Sequence, residues 1–97
     1  MRHRYLVAYD VSDPRRLRLV HRKLLGFGDP LQYSVFQCDL SDVEKLRMVE
    51  AVSEIINHRE DRVLIVDVGP TEGRAALAYE FLGVRDQLPA ERAAVII

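Results

Sequence analysis

One carboxylate stands where chemistry would need it. Tyr5-Leu6-Val7-Ala8-Tyr9 is an apolar run that ends on Asp10, and Val11-Ser12-Asp13-Pro14 follows at once. The run predicts a buried strand, and Ser12 or Asp13 ahead of Pro14 predicts the start of a helix. Asp10 then lies at the C-terminal end of a strand, near the positive pole of a helix whose field favours an ionised carboxylate. A hard, charged oxygen with few protein competitors suits Mg²⁺, which keeps most of its own waters. A single carboxylate holds the ion weakly. A second Asp10 brought alongside by a two-fold axis would share one ion between the pair, because close like charges require a counter-cation. Water on such an ion is a nucleophile towards a phosphodiester. The other reading of Asp10 is an aspartate that caps the helix or forms its leading turn. Residue types alone leave both readings open.

Arg15, Arg16 and Arg18 come directly after it. Guanidinium forks bind phosphate bidentately, so arginines beside a metal carboxylate are what nucleic-acid contact requires. The opposing reading is a solvated helix face. His21 is placed to shuttle protons or simply to pack, and His3 and His58 have no evident partner. Tyr9, Tyr33 and Phe36 are candidates to stack on bases, although aromatics in strands more often fill cores. Ser34 has no local base to activate it, and there is no glycine-rich phosphate loop, Cys/His metal spacing or nucleophile elbow.

The elements that must position these residues follow from the rest of the chain. Ninety-seven residues allow one domain, and 48% hydrophobic with 30% charged residues argues for a globular fold. No apolar run approaches the roughly 20 residues that cross a bilayer, and the N-terminus lacks the pattern of a signal peptide. The single cysteine, Cys38, excludes an internal disulfide and a zinc cage, so a cytoplasmic protein is expected. Net charge is −1 but unevenly placed. Residues 1–23 hold seven Lys/Arg against two acids, a net of +5, and the other seven bases face thirteen acids, a net of −6. That asymmetry suggests one edge facing a polyanion.

Leu17, Val20 and Leu24 recur at helical spacing, with Gly26 and Gly28 closing the helix and Asp29-Pro30 reading as a turn. Leu31 to Asp39 reads as a strand centred on Ser34-Val35-Phe36. Ser41 and Glu44 have capping-box spacing, and Leu46, Val49, Val52 and Ile56 form the apolar stripe of a second helix, flanked by Met48 and Ile55, reaching about Asn57. Val63 to Val66 reads as a buried strand ended by Gly69-Pro70. Ala76 to Leu82 fits strand or helix, Gly83 stops it, and Ala93 to Ile97 is a β-prone tail. Two helices on one face of a mixed or antiparallel sheet give an α+β, ferredoxin-like βαββαβ sandwich with an extra C-terminal strand. That fold needs a hairpin between the helices within residues 26–40, by a short turn or by a sharp kink in the 31–39 strand. An apolar tail is a sticky edge unless paired, so about 84–97 is expected to pair with a second copy in a symmetric dimer. The alternative is a tail laid on its own sheet.

YLVAYDVSDPRR, LQYSVFQCDLS and DRVLIVDVGP together resemble the small subunit of the CRISPR spacer-acquisition complex, a family of CRISPR-associated endoribonucleases. The likeness runs from about Tyr5 to Gly83, and the pairing of a strand-end YD with QYSVF is its most specific part. The resemblance implies a ferredoxin-like homodimer whose C-terminal strands enter the partner's sheet. It implies that Asp10 is the metal-binding and catalytic aspartate, paired across the two-fold axis on one Mg²⁺. It also implies that Arg15, Arg16 and Arg18 contact nucleic acid, with Tyr9 and Phe36 as supporting aromatics. The dimer would bridge two dimers of the CRISPR integrase subunit along double-stranded DNA. Two departures stand out. Gly28-Asp29-Pro30-Leu31 has no basic residue where the family commonly has one, and Gln37 stands where glutamate often follows SVF.

The expected function is spacer acquisition with Mg²⁺-dependent endonuclease activity on single-stranded RNA or double-stranded DNA through Asp10. One alternative is a DNA-binding scaffold with no catalysis of its own. Others are a toxin-type RNase or a regulatory ferredoxin-like domain, since architecture alone does not decide function.

Overall fold

The computed structural model describes residues 1–73, 75, 78–83 and 95–96. Its elements are β1 (His3–Asp10), α1 (Pro14–Leu25), β2 (Asp29–Gln32), β3 (Val35–Leu40), α2 (Asp42–Ile55), β4 (Arg62–Pro70), β5 (Glu80–Phe81) and β6 (Val95–Ile96). The first four strands form a sheet in the order β2-β3-β1-β4, and every neighbouring pair is antiparallel. This is the ferredoxin-like arrangement that the element order predicts.

Alternation along the strands divides the sheet into two faces. Tyr5, Val7 and Tyr9 of β1 and Phe36, Cys38 and Leu40 of β3 meet Val20 and Leu24 of α1 and Met48 and Val52 of α2 in the main core. The opposite face carries Leu6 and Val35, packed against a smaller cluster of Leu31, Tyr79 and Phe81. Ala75, Tyr79 and Phe81 therefore lie over part of the face that the helices leave open. Arg4 fastens them there: it ion-pairs with Asp39 at 2.9 Å, donates to the Ala75 carbonyl at 3.0 Å and sits 5.8 Å from the centre of the Tyr79 ring.

Both helix starts follow from sequence. Asp13 is the N-cap of α1 and accepts from the Arg16 amide, and Pro14 takes the first turn, where its missing N–H costs nothing. Ser41 and Glu44 form a complete capping box on α2. Other expectations are corrected. The 31–39 stretch is a hairpin: β2 and β3 are joined through a turn at Tyr33-Ser34, and the Tyr9 amide donates to the Ser34 carbonyl at 3.0 Å. Asp29 and Pro30 belong to β2, not to a turn, because an edge strand tolerates a residue that cannot donate to the ladder. Leu46 lies off the buried stripe of α2 and is 62% exposed, while Met48 is fully buried. The helix ends at Ile55, with Ile56 as its cap. Only alternate residues of β4 face the core. Leu64 and Val66 are 61% and 41% exposed on the open side, because helices cover one face only. Val95 and Ile96 pair in parallel with Glu80 and Phe81 of the same chain. The proposed dimer-pairing stretch 84–94 and residue 97 fall outside the described residues.

Candidate nucleic-acid and metal site

Asp10 closes β1 on the open face, in line with Arg4, Leu6 and Ala8. Its register partner on β4 is Arg62, and both are exposed. Directly opposed residues of an antiparallel pair have Cβ atoms about 5 Å apart and share a face. Arg62 is therefore opposite Asp10 in strand register, with no ion pair between the two, and sequence alone did not single it out because only the register joins them. The capping role open to Asp10 is filled elsewhere: Asp13 caps α1, and Asp61 ties down the loop. Among the described residues, nothing donates a hydrogen bond or ion pair to the Asp10 carboxylate.

Asp61 is the buried counterpart. Its carboxylate accepts from Arg16 Nε at 2.9 Å, the Asn57 amide at 2.8 Å and the Ser12 amide at 3.1 Å. These bonds join the β1–α1 turn to the α2–β4 loop on either side of Asp10 and Arg62. The Arg16 contact, helped by the two amides, holds the Asp61 carboxyl far below the usual carboxylate range despite burial. Arg16, expected to contact phosphate, has its guanidinium engaged by Asp61 and by Glu60 at 3.0 Å. Arg15 and Arg18 are exposed. Arg22 joins them: at about 100° per residue, positions 15, 18 and 22 fall within an arc of roughly 60° on α1, away from the buried Val20 and Leu24. None of the three has an acidic partner among the described residues. Helical spacing was the signal for Arg22, and contiguity in sequence favoured Arg16 instead.

The aromatic expectations change as well. Phe36 is fully buried and Tyr9 nearly so, so neither ring is open for a base to stack upon. They belong to the main core, with ring centres 6.2 Å apart, and the His21 ring meets Phe36 edge-on at 5.2 Å. The Tyr9 hydroxyl lies 3.3 Å from His21 Nδ1, and burial raises its pKa. Tyr33, at the hairpin tip, is 82% exposed. His3 and His58 do have partners, Asp67 at 2.9 Å and the Ser53 carbonyl at 3.0 Å. Burial pushes the Cys38 thiol up to about 12, which leaves it a core residue without a reactive role.

The described residues contain no cluster of three or more His, Cys, Asp or Glu side chains that could hold a metal. At this end of β1 the described residues offer one carboxylate without a partner, Asp10, and this donor set fits a hydrated Mg²⁺ only if a second carboxylate joins it. No helix among the described residues is long and apolar enough to cross a membrane.

Fold and site together define a ferredoxin-like α+β module with an exposed strand-end aspartate beside an arginine-bearing helix. Residues 1–74 match the family model described as CRISPR associated protein Cas2, and the chain belongs to that family. It is 49% identical over 72 residues to the CRISPR-associated endoribonuclease Cas2 of Geobacter sulfurreducens, covering 74% of this chain and 76% of that one. It is 41% identical over 95 residues to the CRISPR-associated endoribonuclease Cas2 1 of Rhodospirillum rubrum, covering 98% and 91%. Among solved structures, a hypothetical protein, TT1823, from Thermus thermophilus superposes with a TM-score of 0.78 at 26% identity, covering 90% of this chain and 98% of the other.

Proposed function

We propose that the protein works in CRISPR spacer acquisition as a homodimer that bridges integrase subunits on double-stranded DNA. We further propose that it is a Mg²⁺-dependent endonuclease on single-stranded RNA or double-stranded DNA, acting through Asp10 in the cytoplasm. The observation that carries the catalytic reading is the Asp10 carboxylate itself: exposed, at a strand end, released from capping by Asp13 and set opposite Arg62. The names of the relatives, endoribonucleases, agree with it. Asp10 of each copy would hold the ion, which supplies charge neutralisation and water activation when bound. Arg62 draws a phosphate towards the carboxylate, while Arg15, Arg18 and Arg22 hold the flanking backbone bidentately.

The dimer is supported by the open face. Leu64 and Val66 are exposed there, and among the described residues β4 ends the sheet with one edge unpaired. A second copy would cover both liabilities. The scaffold reading keeps one observation in its favour: Asp29 and Pro30 occupy the stretch where a base is commonly found. The toxin and regulatory-domain alternatives gain nothing from the family match.

The test compares wild type and Asp10→Asn on single-stranded RNA and on duplex DNA, each with Mg²⁺ or chelator. Cleavage is expected only from wild type with Mg²⁺, with a loss of at least about a hundredfold in the variant. Equal cleavage by both proteins would remove the enzyme. No cleavage by either, together with salt-sensitive duplex binding by both, would establish the scaffold.

A further inference from the structure

A groove of about 480 Å³ runs between α1 and the β2–β3 hairpin, on the side of the sheet that faces the helices. We propose that it takes an unpaired nucleobase from the strand whose phosphates lie along α1. This deepens the nucleic-acid reading above and rests on it. Three observations favour that occupant.

The walls are in part apolar and aromatic. Leu17 and Pro30 line the groove, and the Tyr33 ring stands at its rim with most of its surface exposed. An exposed aromatic on a hairpin tip is a platform for any base, since every base has a π-face. The lining is polar where a base edge would reach. His21, Tyr9 and Gln32 are polar members of the lining, the Tyr9 hydroxyl lying 3.3 Å from His21 Nδ1. Hydroxyl and carboxamide groups both donate and accept, so this set tolerates several bases. Charge selects the rest of the ligand. The groove has no acidic lining residue, and Arg18 belongs both to it and to the unpaired row formed with Arg15 and Arg22. A nucleotide with its phosphate on Arg18 could therefore place its base in the groove. A base paired within a duplex could not enter, because it is held in the stack.

The experiment uses the full-length protein and three fluorescein-labelled probes: oligouridylate RNA, oligothymidylate DNA and a blunt DNA duplex. Tyr33 is exposed, so Tyr33→Ala leaves the core intact. The variant is expected to bind both single strands about tenfold more weakly, with duplex affinity unchanged and Tyr33→Phe restoring binding. Oligouridylate carrying 5-iodouracil should form its photo-adduct on Tyr33 in wild type. Unchanged single-strand affinity in Tyr33→Ala, an equal loss on single strands and duplex, or adducts confined to residues outside the groove would each overturn the groove. Wild-type protein that binds none of the probes would overturn the nucleic-acid reading and the groove with it.

Discussion

Asp10 and Asp61 flank the same turn, and their surroundings give them opposite work. Asp61 is enclosed and satisfied by Arg16 and two backbone amides, so its charge contributes to holding the fold. Its folded pKa lies below the unfolded value near 3.9. The stability it supplies is fully present above about pH 4 and is lost as pH falls towards the folded value. Glu44 and Asp67 are lowered in the same direction, by the Ser41 amide with Arg2 and by His3 respectively. Asp61→Asn should therefore lower the melting temperature at neutral pH by roughly 5 °C or more. Urea titrations should show the gap between variant and wild type narrowing as pH drops below about 4. A gap that stays constant with pH would mean that Asp61 acts by shape, not by charge. The place of Asp10 at a strand end was legible from sequence, because the strand's close and a helix start lie within four residues of it. Asp61 was not, because its partner Arg16 is 45 positions away and is met only after the sheet has formed.

At the scale of elements, local signals located the helices well. Their capping residues act within one turn, and that range is readable. A hairpin within 26–40 was expected, but its strand limits and the burial of β4 were misread for a shared reason: apolar composition marks a strand but not how many of its faces are covered, nor where a turn interrupts it. Gly28 illustrates how tightly the α1–β2 connection is drawn. A Cβ built there would lie 2.1 Å from the Gln37 carbonyl oxygen and 2.7 Å from Cys38 Sγ. The backbone passes so close to β3 that a methyl group would push the edge strand away. Gly28→Ala should cost about 1–3 kcal/mol in chemical denaturation, as overpacking does. Gly26→Ala, whose added atom would meet only the Lys23 carbonyl at 3.3 Å, should cost less.

For the molecule as a whole, helices shield one face of the sheet, and among the described residues Ala75, Tyr79 and Phe81 cover part of the second. The exposed Leu64 and Val66 mark the uncovered remainder, close in register to Asp10. If a second copy closes that area, Leu64→Asp should convert the dimer to a monomer in light scattering. The same change should abolish any Mg²⁺-dependent cleavage without unfolding the chain, because the side chain already faces outward. A variant that stays dimeric would move the interface elsewhere.

Arg4 gives position 4 an unusual resistance to conservative exchange. One planar group meets a carboxylate on β3 and both a main-chain oxygen and an aromatic ring on the segment that follows β4. Lysine would preserve the charge and reach only one or two of them at a time. Sequence drift at this site should thus be confined to arginine so long as the covering strap keeps its present seat.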